Sequence, residues 1–254
     1  MNIKIDNLNI DYLKKGNSDN KILLLHGWGC NKEIFNNLIN NLSQYMEVYA
    51  IDFPGFGKSD EPKEAWGVDE YTDLVVKFIN AMNINEISLL GHSFGGRVII
   101  KLANRENLNF KIKKIVLVDA AGIKHTPKVT RKQKFYKKVF PIIKKISPKL
   151  LNYIKTKVGS ADYRNATPMM RDILVKTVNE DLKDLISNIK QPTLLIWGTE
   201  DTATPYKDAI FMNQNIKDSG IVKIDGAGHF SFLEQPYLVN KVLDSFLNEQ
   251  KLKK

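Results

Sequence analysis

The chain alternates short aliphatic runs with longer amphipathic stretches, and this alternation restricts the fold more than any other feature of the sequence. In most of the intervening stretches, apolar residues recur at helical spacing, as at 71–82 and 98–102. Strands that alternate with helices predict an α/β fold with a mostly parallel central sheet flanked by helices. Each aliphatic run has the length and composition of a strand buried on both faces. The six runs are 22–25, 48–51, 87–90, 115–118, 194–197 and 221–224.

The ends of the chain continue this pattern, whereas one internal interval interrupts it. Residues 1–16 alternate apolar with polar side chains, which predicts edge strands, and 209–216 and 237–247 have helical spacing. Residues 122–190 show no strand pattern and contain four prolines between apparently helical segments. The 254 residues fit one α/β domain with a modest insertion. We therefore expect core residues 1–121, a helical insertion at 122–190 and core residues 191–254.

The sequence carries no membrane or secretion signal that we can identify. The first 16 residues lack the apolar region of a signal peptide. The longest purely aliphatic stretch nearby is four residues, far short of the ~20 that a membrane span requires. Cys30 is the single cysteine, so no intramolecular disulfide can form, which suits a reducing compartment. We therefore expect a soluble, cytoplasmic protein.

The positive net charge of the chain is concentrated in one segment. The formal charge is +10, but residues 124–157 contain 12 lysines or arginines and no acidic residue. The rest of the chain has 26 basic and 28 acidic residues, a net charge of −2. A nucleic-acid-binding protein typically has positive charge over a large part of its surface, whereas here the excess is confined to one segment. We therefore expect no nucleic-acid partner. We favour a solvated outer face for this segment, with weak contact to anionic lipid or an anionic substrate as the open alternative.

The strongest chemical motif is G-H-S-F-G at residues 91–95. It lies between a predicted strand and a predicted helix, as in a nucleophile elbow, a motif with a known structural context. Gly91 and Gly95 are required because this strained turn leaves no room for Cβ atoms on either side of the serine. The sequence therefore predicts Ser93 as an exposed nucleophile, with His92 and the two glycines as its supporting turn.

A serine nucleophile needs a base that is held in one tautomer. His229 follows the strand at 221–224, and Asp201 follows the strand at 194–197, so all three residues reach the carboxyl edge of the sheet, where such folds bind ligands. We predict His229 as the general base and Asp201 as its orienting carboxylate. Glu200 and Asp119 are rival acids for this orienting role. Glu200 is adjacent to Asp201 in the sequence, and Asp119 ends the strand at 115–118.

The turn His26-Gly27-Trp28-Gly29 supplies a candidate oxyanion site directly after the first predicted parallel strand. Main-chain N–H groups there can meet the negative charge that develops on an attacked carbonyl. We predict the amides of Trp28 and Phe94 as the donors, with the other residues of the turn in support. Cys30, just past the turn, is interpreted as a packing residue.

These motifs together make the chain resemble the α/β-hydrolase superfamily from His26 to about Pro236. The matched pieces are H-G-W-G, D-F-P-G-F-G-K-S-D from 52, G-H-S-F-G-G from 91, W-G-T-E-D and G-A-G-H-F-S-F-L-E-Q-P from 226. The resemblance implies the Ser–Asp–His order found here. It also implies that the insertion is a cap, or lid, that shapes substrate choice.

The resemblance and the motifs lead to a function hypothesis with alternatives. We expect a carboxylesterase-like serine hydrolase that cleaves an ester or thioester of a small or acyl-chain substrate through an acyl-enzyme. A carbon–carbon bond hydrolase, or other chemistry with the same triad, stays open because fold and triad do not set the substrate. A weakly hydrolytic ligand-binding or receptor protein is the alternative from another class. Metal and nucleotide motifs are missing from the sequence, so we expect no cofactor and no metal. Oligomeric state is not readable from the sequence.

Overall fold

The computed structural model describes residues 1–125 and 160–248, with residues 136, 139–141, 143, 147 and 154 between them. The described residues form an eight-stranded sheet. The strands are β1 Asn2–Ile5, β2 Leu8–Lys15, β3 Lys21–Leu25, β4 Glu47–Ile51, β5 Glu86–His92, β6 Lys111–Val118, β7 Thr193–Gly198 and β8 Ser219–Ile224. Their order in the sheet is β1-β2-β4-β3-β5-β6-β7-β8. All six predicted strands lie within strands of this sheet, which confirms the predicted fold class.

Strand direction follows the prediction, but the burial of the last strand does not. The pairs β1–β2 and β2–β4 are antiparallel, and the pairs from β4 through β8 are parallel. The expectation that β8 is buried on both faces is wrong, because Ile221 and Val222 are only half-buried and Gly220 is exposed. β8 is the last strand of the described sheet and pairs with β7 alone, so one edge of it lacks a covering strand.

Helices cover both faces of the sheet. Alternate residues of a strand point to opposite faces: Leu23 and Leu25 of β3 belong to one apolar cluster, and Ile22 and Leu24 belong to the other. The helices are α1 Asn36–Leu42, α2 Val68–Ala81, α3 Phe94–Ala103, α4 Ala161–Asn165, α5 Pro168–Asn179, α6 Tyr206–Asn215, α7 Ser231–Glu234 and α8 Pro236–Leu247. The first cluster includes residues of α2, α3 and α6, and the second includes residues of α1 and α8.

Between β6 and β7, the structure describes helices in the part of the chain that directly precedes β7. Residues 160–190 contain α4, α5 and a 3-10 helix at Lys183–Asn188. Met170 and Ile173 of α5 are buried in the same apolar cluster as α2 and α3. These helices therefore pack on the core, whereas most of the basic segment at 124–157 and of its apolar stripe (135, 139, 142, 143 and 146) lies outside the described residues. The division at 122 and 190 remains a prediction.

Within the part of the chain that the structure describes, no helix combines the length and the apolar character that crossing a bilayer would demand.

Candidate active site

Ser93 lies at a strained turn between β5 and α3. β5 ends at His92 and α3 begins at Phe94, so the serine is the only residue between them. Its backbone has φ 48° and ψ −110°, a conformation that non-glycine residues rarely adopt. Such strain persists where surrounding structure imposes it, and it is common at functional sites. Here it holds the half-buried side chain at the start of a helix.

The two glycines that flank the serine are required by contact with neighbouring backbone. A Cβ atom on Gly95 would lie 2.0 Å from the carbonyl oxygen of Leu25, and one on Gly91 would lie 2.7 Å from the carbonyl carbon of Gly95. Neither backbone group can move away without disturbing β3 or the turn itself. The two glycines of the motif therefore permit the close packing of β5, α3 and β3.

The structure brings the three predicted side chains of the triad together. Oγ of Ser93 lies 2.9 Å from Nε2 of His229, and Nδ1 of His229 lies 2.8 Å from Oδ2 of Asp201. Both distances are within hydrogen-bond range. The serine precedes α3, whereas Asp201 and His229 follow β7 and β8, so the parallel strands deliver all three to one edge of the sheet. With Nδ1–H donated to the carboxylate, Nε2 is free to accept the serine proton.

Asp201 is held as an acceptor by a set of donors around it. Its Oδ1 accepts hydrogen bonds from the backbone N–H of Ala203 (2.8 Å) and Thr204 (2.9 Å), and its Oδ2 lies 2.6 Å from the Thr204 hydroxyl. Burial alone would raise the pKa of Asp201, but the hydrogen bonds from His229 and Thr204 outweigh it and lower the pKa. The carboxylate is therefore ionised and fixed in place at neutral pH.

The rival acids do not reach the imidazole. Asp119 is fully buried and accepts hydrogen bonds from the N–H of Gly198 (2.8 Å) and from the N–H and hydroxyl of Ser231 (3.0 and 2.6 Å). Burial raises the pKa of Asp119 to about 6, although these hydrogen bonds oppose the change. It thus ties together the turns that carry Asp201 and His229. Glu200 is exposed at the surface.

The glycine-rich turn after β3 approaches the serine closely. A Cβ atom on Gly27 would lie 3.1 Å from Cβ of Ser93 and 2.7 Å from Nδ1 of His92, so only glycine fits there without displacement. Gly29 has φ +72°, a conformation that favours glycine. Phe94 is the first residue of α3, and the first N–H groups of a helix have no partner within the helix. The roles of the Trp28 and Phe94 amides as oxyanion donors remain predictions.

His26 and His92 are structural partners of the turns. Nδ1 of His26 lies 2.7 Å from the carbonyl oxygen of Gly27, and Nε2 accepts the Phe53 N–H at 3.0 Å. Nε2 of His92 lies 2.8 Å from the carbonyl oxygen of His229, which ties β5 to the turn of the base. Burial lowers the pKa of His26 to about 4 and that of His92 to about 3, where proximity to His229 adds to the effect. Both imidazoles are therefore neutral at neutral pH.

A cavity of about 450 Å³ lies against Ser93 and His229. Trp28 and Phe94 form part of its wall, and Leu174 and Val178 of α5 contribute from the helical segment between β6 and β7. Cys30 is half-buried near this region, and burial together with the Asp162 carboxylate raises the pKa of its thiol to about 11. The thiol is therefore protonated at neutral pH, as expected for a packing residue.

Sequence reasoning missed the residues that support the triad. The Thr204 hydroxyl lies within hydrogen-bond distance of Asp201 and at 3.3 Å from Nδ1 of His229. Ser231 and Asp119 form the second supporting contact. A hydroxyl three residues after the predicted acid, and another two residues after the predicted base, were the available signals. Single hydroxyls near turns are too common to be singled out without coordinates.

Comparisons with known proteins show the family and the fold of this chain. A family model described as alpha/beta hydrolase family matches residues 22–242. The chain is 28% identical over 253 residues to the AB hydrolase superfamily protein YisY of Bacillus subtilis, covering 89% of this chain and 91% of that protein. It is 28% identical over 258 residues to the pimeloyl-[acyl-carrier protein] methyl ester esterase of Wigglesworthia glossinidia brevipalpis, covering 92% and 96%. The crystal structure of the enol-lactonase from Burkholderia xenovorans LB400 aligns with a TM-score of 0.77 at 21% identity, over 98% of this chain and 100% of that chain, and shows the same fold.

Proposed function

Because this chain belongs to the α/β-hydrolase family, we propose that it is a serine hydrolase that cleaves an ester-like bond through an acyl-enzyme intermediate on Ser93. The observation that carries the proposal is the continuous hydrogen-bonded chain from Ser93 through His229 to Asp201, at 2.9 and 2.8 Å. A nucleophile, a base and an orienting carboxylate in this order are the arrangement needed to activate a hydroxyl. Hydrolysis of a carboxylic ester or thioester is the chemistry proposed.

The acylation step follows from the positions of these groups. Oγ of Ser93 attacks the carbonyl carbon of the substrate, and its proton passes to Nε2 of His229. The carbonyl oxygen becomes an oxyanion, which the N–H groups of Trp28 and Phe94 stabilise. The tetrahedral intermediate then expels the alcohol or thiol, which takes the proton from His229. Asp201 stabilises the imidazolium that exists between these two transfers.

Deacylation repeats the sequence with water as the nucleophile. His229 removes a proton from water as the oxygen attacks the acyl carbon, and it returns that proton to Oγ of Ser93 when the ester bond to the enzyme breaks. The products are a carboxylic acid and the free serine.

A cap role for residues 122–190 is part of this proposal. Leu174, Thr177 and Val178 of α5 and Asp162 of α4 line the cavity beside Ser93. Side chains at these positions would contact the acyl or alcohol portion of a substrate and thereby influence specificity. The relatives described as methyl ester esterases support an ester as the substrate class, since they align over most of this chain.

Turnover of a simple activated ester tests the proposal. We expect the protein to hydrolyse p-nitrophenyl butyrate and Ser93→Ala to lose at least ~1,000-fold in kcat, since a triad acts as a unit. Gly220→Ala, which adds a methyl group far from any neighbour, serves as the matched control and should retain wild-type turnover. Equal turnover by Ser93→Ala and the wild type would overturn the assignment. If the folded protein turns over neither this ester nor its thioester analogue, the ligand-binding alternative is favoured.

A further inference from the structure

Arg97 is a buried arginine in the wall of the cavity that contains Ser93. Its exposed fraction is 6%, and it lines the same cavity as Ser93 and His229. It lies four residues after Ser93, in the first turns of α3, and is thus about one helical turn along the chain from the serine. Side chains in a helix point back toward its N-terminus, which here is the turn of the serine.

The charge of Arg97 is not neutralised by an ion pair among the described residues. Its one hydrogen bond there is from Nη1 to the main-chain oxygen of Glu180, at 2.7 Å. The carboxylates of Glu180 and Asp181 are near enough to influence it, but each is engaged elsewhere. Glu180 pairs with Lys101, and Asp181 accepts the backbone N–H groups of Lys124 and Lys183 at 3.2 Å.

A buried charge without a paired counter-charge is unusual, because desolvation makes the charged form costly. The guanidinium is a planar fork of five N–H donors that matches a carboxylate, and only one donor is used here by a described residue. Burial lowers the pKa of Arg97, but arginine stays protonated in proteins. The arrangement is therefore complementary to an anion that enters the cavity from solution.

The other charged side chains of the described cavity wall are exposed to solvent, which screens their charge. Lys124 and Asp162 of α4 are both exposed. His125 also lines the wall, and its Nε2 lies 2.7 Å from Oδ2 of the buried Asp208. The buried Arg97 is therefore the charged side chain of this wall that solvent screens least.

We infer that the substrate carries a carboxylate in addition to its ester-like bond, and that Arg97 binds this carboxylate while Ser93 attacks the ester. This inference rests on the proposed function and names its substrate class. Arg97 is then a specificity-determining residue rather than a member of the triad. Its hydrogen bond to Glu180 fixes the guanidinium against the segment that follows α5.

Matched pairs of substrates test the inference. The probes are monomethyl esters of linear dicarboxylic acids with four to seven carbons, each compared with the methyl ester in which the far carboxylate is replaced by a primary amide. We expect the wild type to prefer the carboxylate form at one or more chain lengths, with about 10- to 100-fold higher kcat/KM, as a charged hydrogen bond allows. The absence of a preference for the carboxylate form at every length would overturn the inference.

Substitutions identify the residue responsible. Arg97→Gln keeps a donor for the Glu180 carbonyl but removes the charge, and it should lower kcat/KM for the carboxylate form more than for the neutral amide form, so that the preference is lost mainly through KM. Arg97→Lys should keep part of the preference, because it keeps the charge without the fork. Arg105→Gln removes a surface arginine that pairs with Asp69 and Asp73, and it should leave the preference unchanged. Equal loss with both substrates in Arg97→Gln, or loss of preference in Arg105→Gln, would contradict the assignment.

The substrate pairs distinguish a wrong role for Arg97 from a wrong enzyme class. Turnover of neutral esters without any preference for the carboxylate overturns the role of Arg97 and leaves the serine hydrolase intact. Absence of turnover with both members of every pair, in a protein that is folded, overturns the proposed function and the inference with it. Since the wild-type comparison needs no variant, poor folding of an Arg97 variant does not remove the test.

Discussion

At the scale of single residues, the site depends on which of two neighbouring carboxylates touches the base. Asp201 contacts Nδ1 of His229, whereas the two carboxylate oxygens of Asp119 accept hydrogen bonds from Gly198 and Ser231. Both residues follow parallel strands that end at the same edge of the sheet, so sequence position alone does not show which of them contacts the imidazole. The difference arises from the direction of each side chain.

Exchanging each acid for its amide separates their roles. Asp201→Asn should lower kcat by about 1,000-fold or more, because the amide cannot hold His229 in the tautomer that accepts the serine proton. Asp119→Asn should keep activity within about tenfold and lose roughly 1–3 kcal/mol of unfolding free energy, since one hydrogen bond of a buried group is lost. The measurements are ester turnover and urea unfolding of both variants. Loss of activity in Asp119→Asn alone would mean that Asp119 is the orienting acid.

At the scale of elements, the nucleophile elbow is a packing requirement as much as a chemical motif. Gly95 lies against the Leu25 carbonyl, so the end of β3 and the start of α3 approach each other at backbone distance. This contact brings the turn after β3 beside Ser93. The glycine-flanked serine could be predicted from sequence because two glycines, each two residues from a serine, rarely occur by chance between a strand and a helix.

Adding one methyl group at the elbow tests that requirement. Gly95→Ala should destabilise the protein by at least ~3 kcal/mol or prevent folding, because the new Cβ would lie 2.0 Å from a backbone oxygen. Gly220→Ala in β8 has open space around the new Cβ and should change the unfolding free energy by less than ~0.5 kcal/mol. Equal stability of the two variants in urea titrations would show that β3 and α3 do not pack as described.

The elements that sequence reasoning missed are those formed by tertiary contacts. α1 contains four asparagines in seven residues, a composition with low helix propensity. It is helical because Leu38, Ile39 and Leu42 are buried under the sheet together with α8. By contrast, the core strands and α2 were predicted correctly, since their apolar residues recur with one clear period. Arg97 was overlooked because a single arginine in a helix carries no sequence signal of burial.

At the scale of the whole molecule, two buried neutral histidines link stability to pH. His26 donates to one turn and accepts from another, so a second proton on its ring would break the contact with Phe53. The folded pKa values of His26 and His92 are about 4 and about 3, below the 6.5 of an unperturbed histidine. Between these limits the unfolded chain binds protons that the folded chain does not, and stability falls as the pH decreases.

The sign and size of this effect can be measured. Each histidine contributes a slope of about 1.4 kcal/mol per pH unit below pH 6.5, and Asp119, with its pKa raised to about 6, opposes part of it. We expect the unfolding free energy to be about 2 kcal/mol lower at pH 5.5 than at pH 7.5. In His26→Gln the difference should shrink by about 1.4 kcal/mol, the contribution of one histidine. A protein that is equally stable or more stable at pH 5.5 would contradict the assignment of neutral buried histidines.

The proposed function requires that the hydrogen-bonded pair of His229 and Asp201 activate Ser93. Reaction with a fluorophosphonate, followed by peptide mass analysis, measures this activation because the reagent needs an activated hydroxyl. We expect a single adduct on Ser93 in the wild type, and its loss in His229→Ala while the fold is retained. An adduct on another residue, or labelling of Ser93 that is equally fast in His229→Ala, would contradict it.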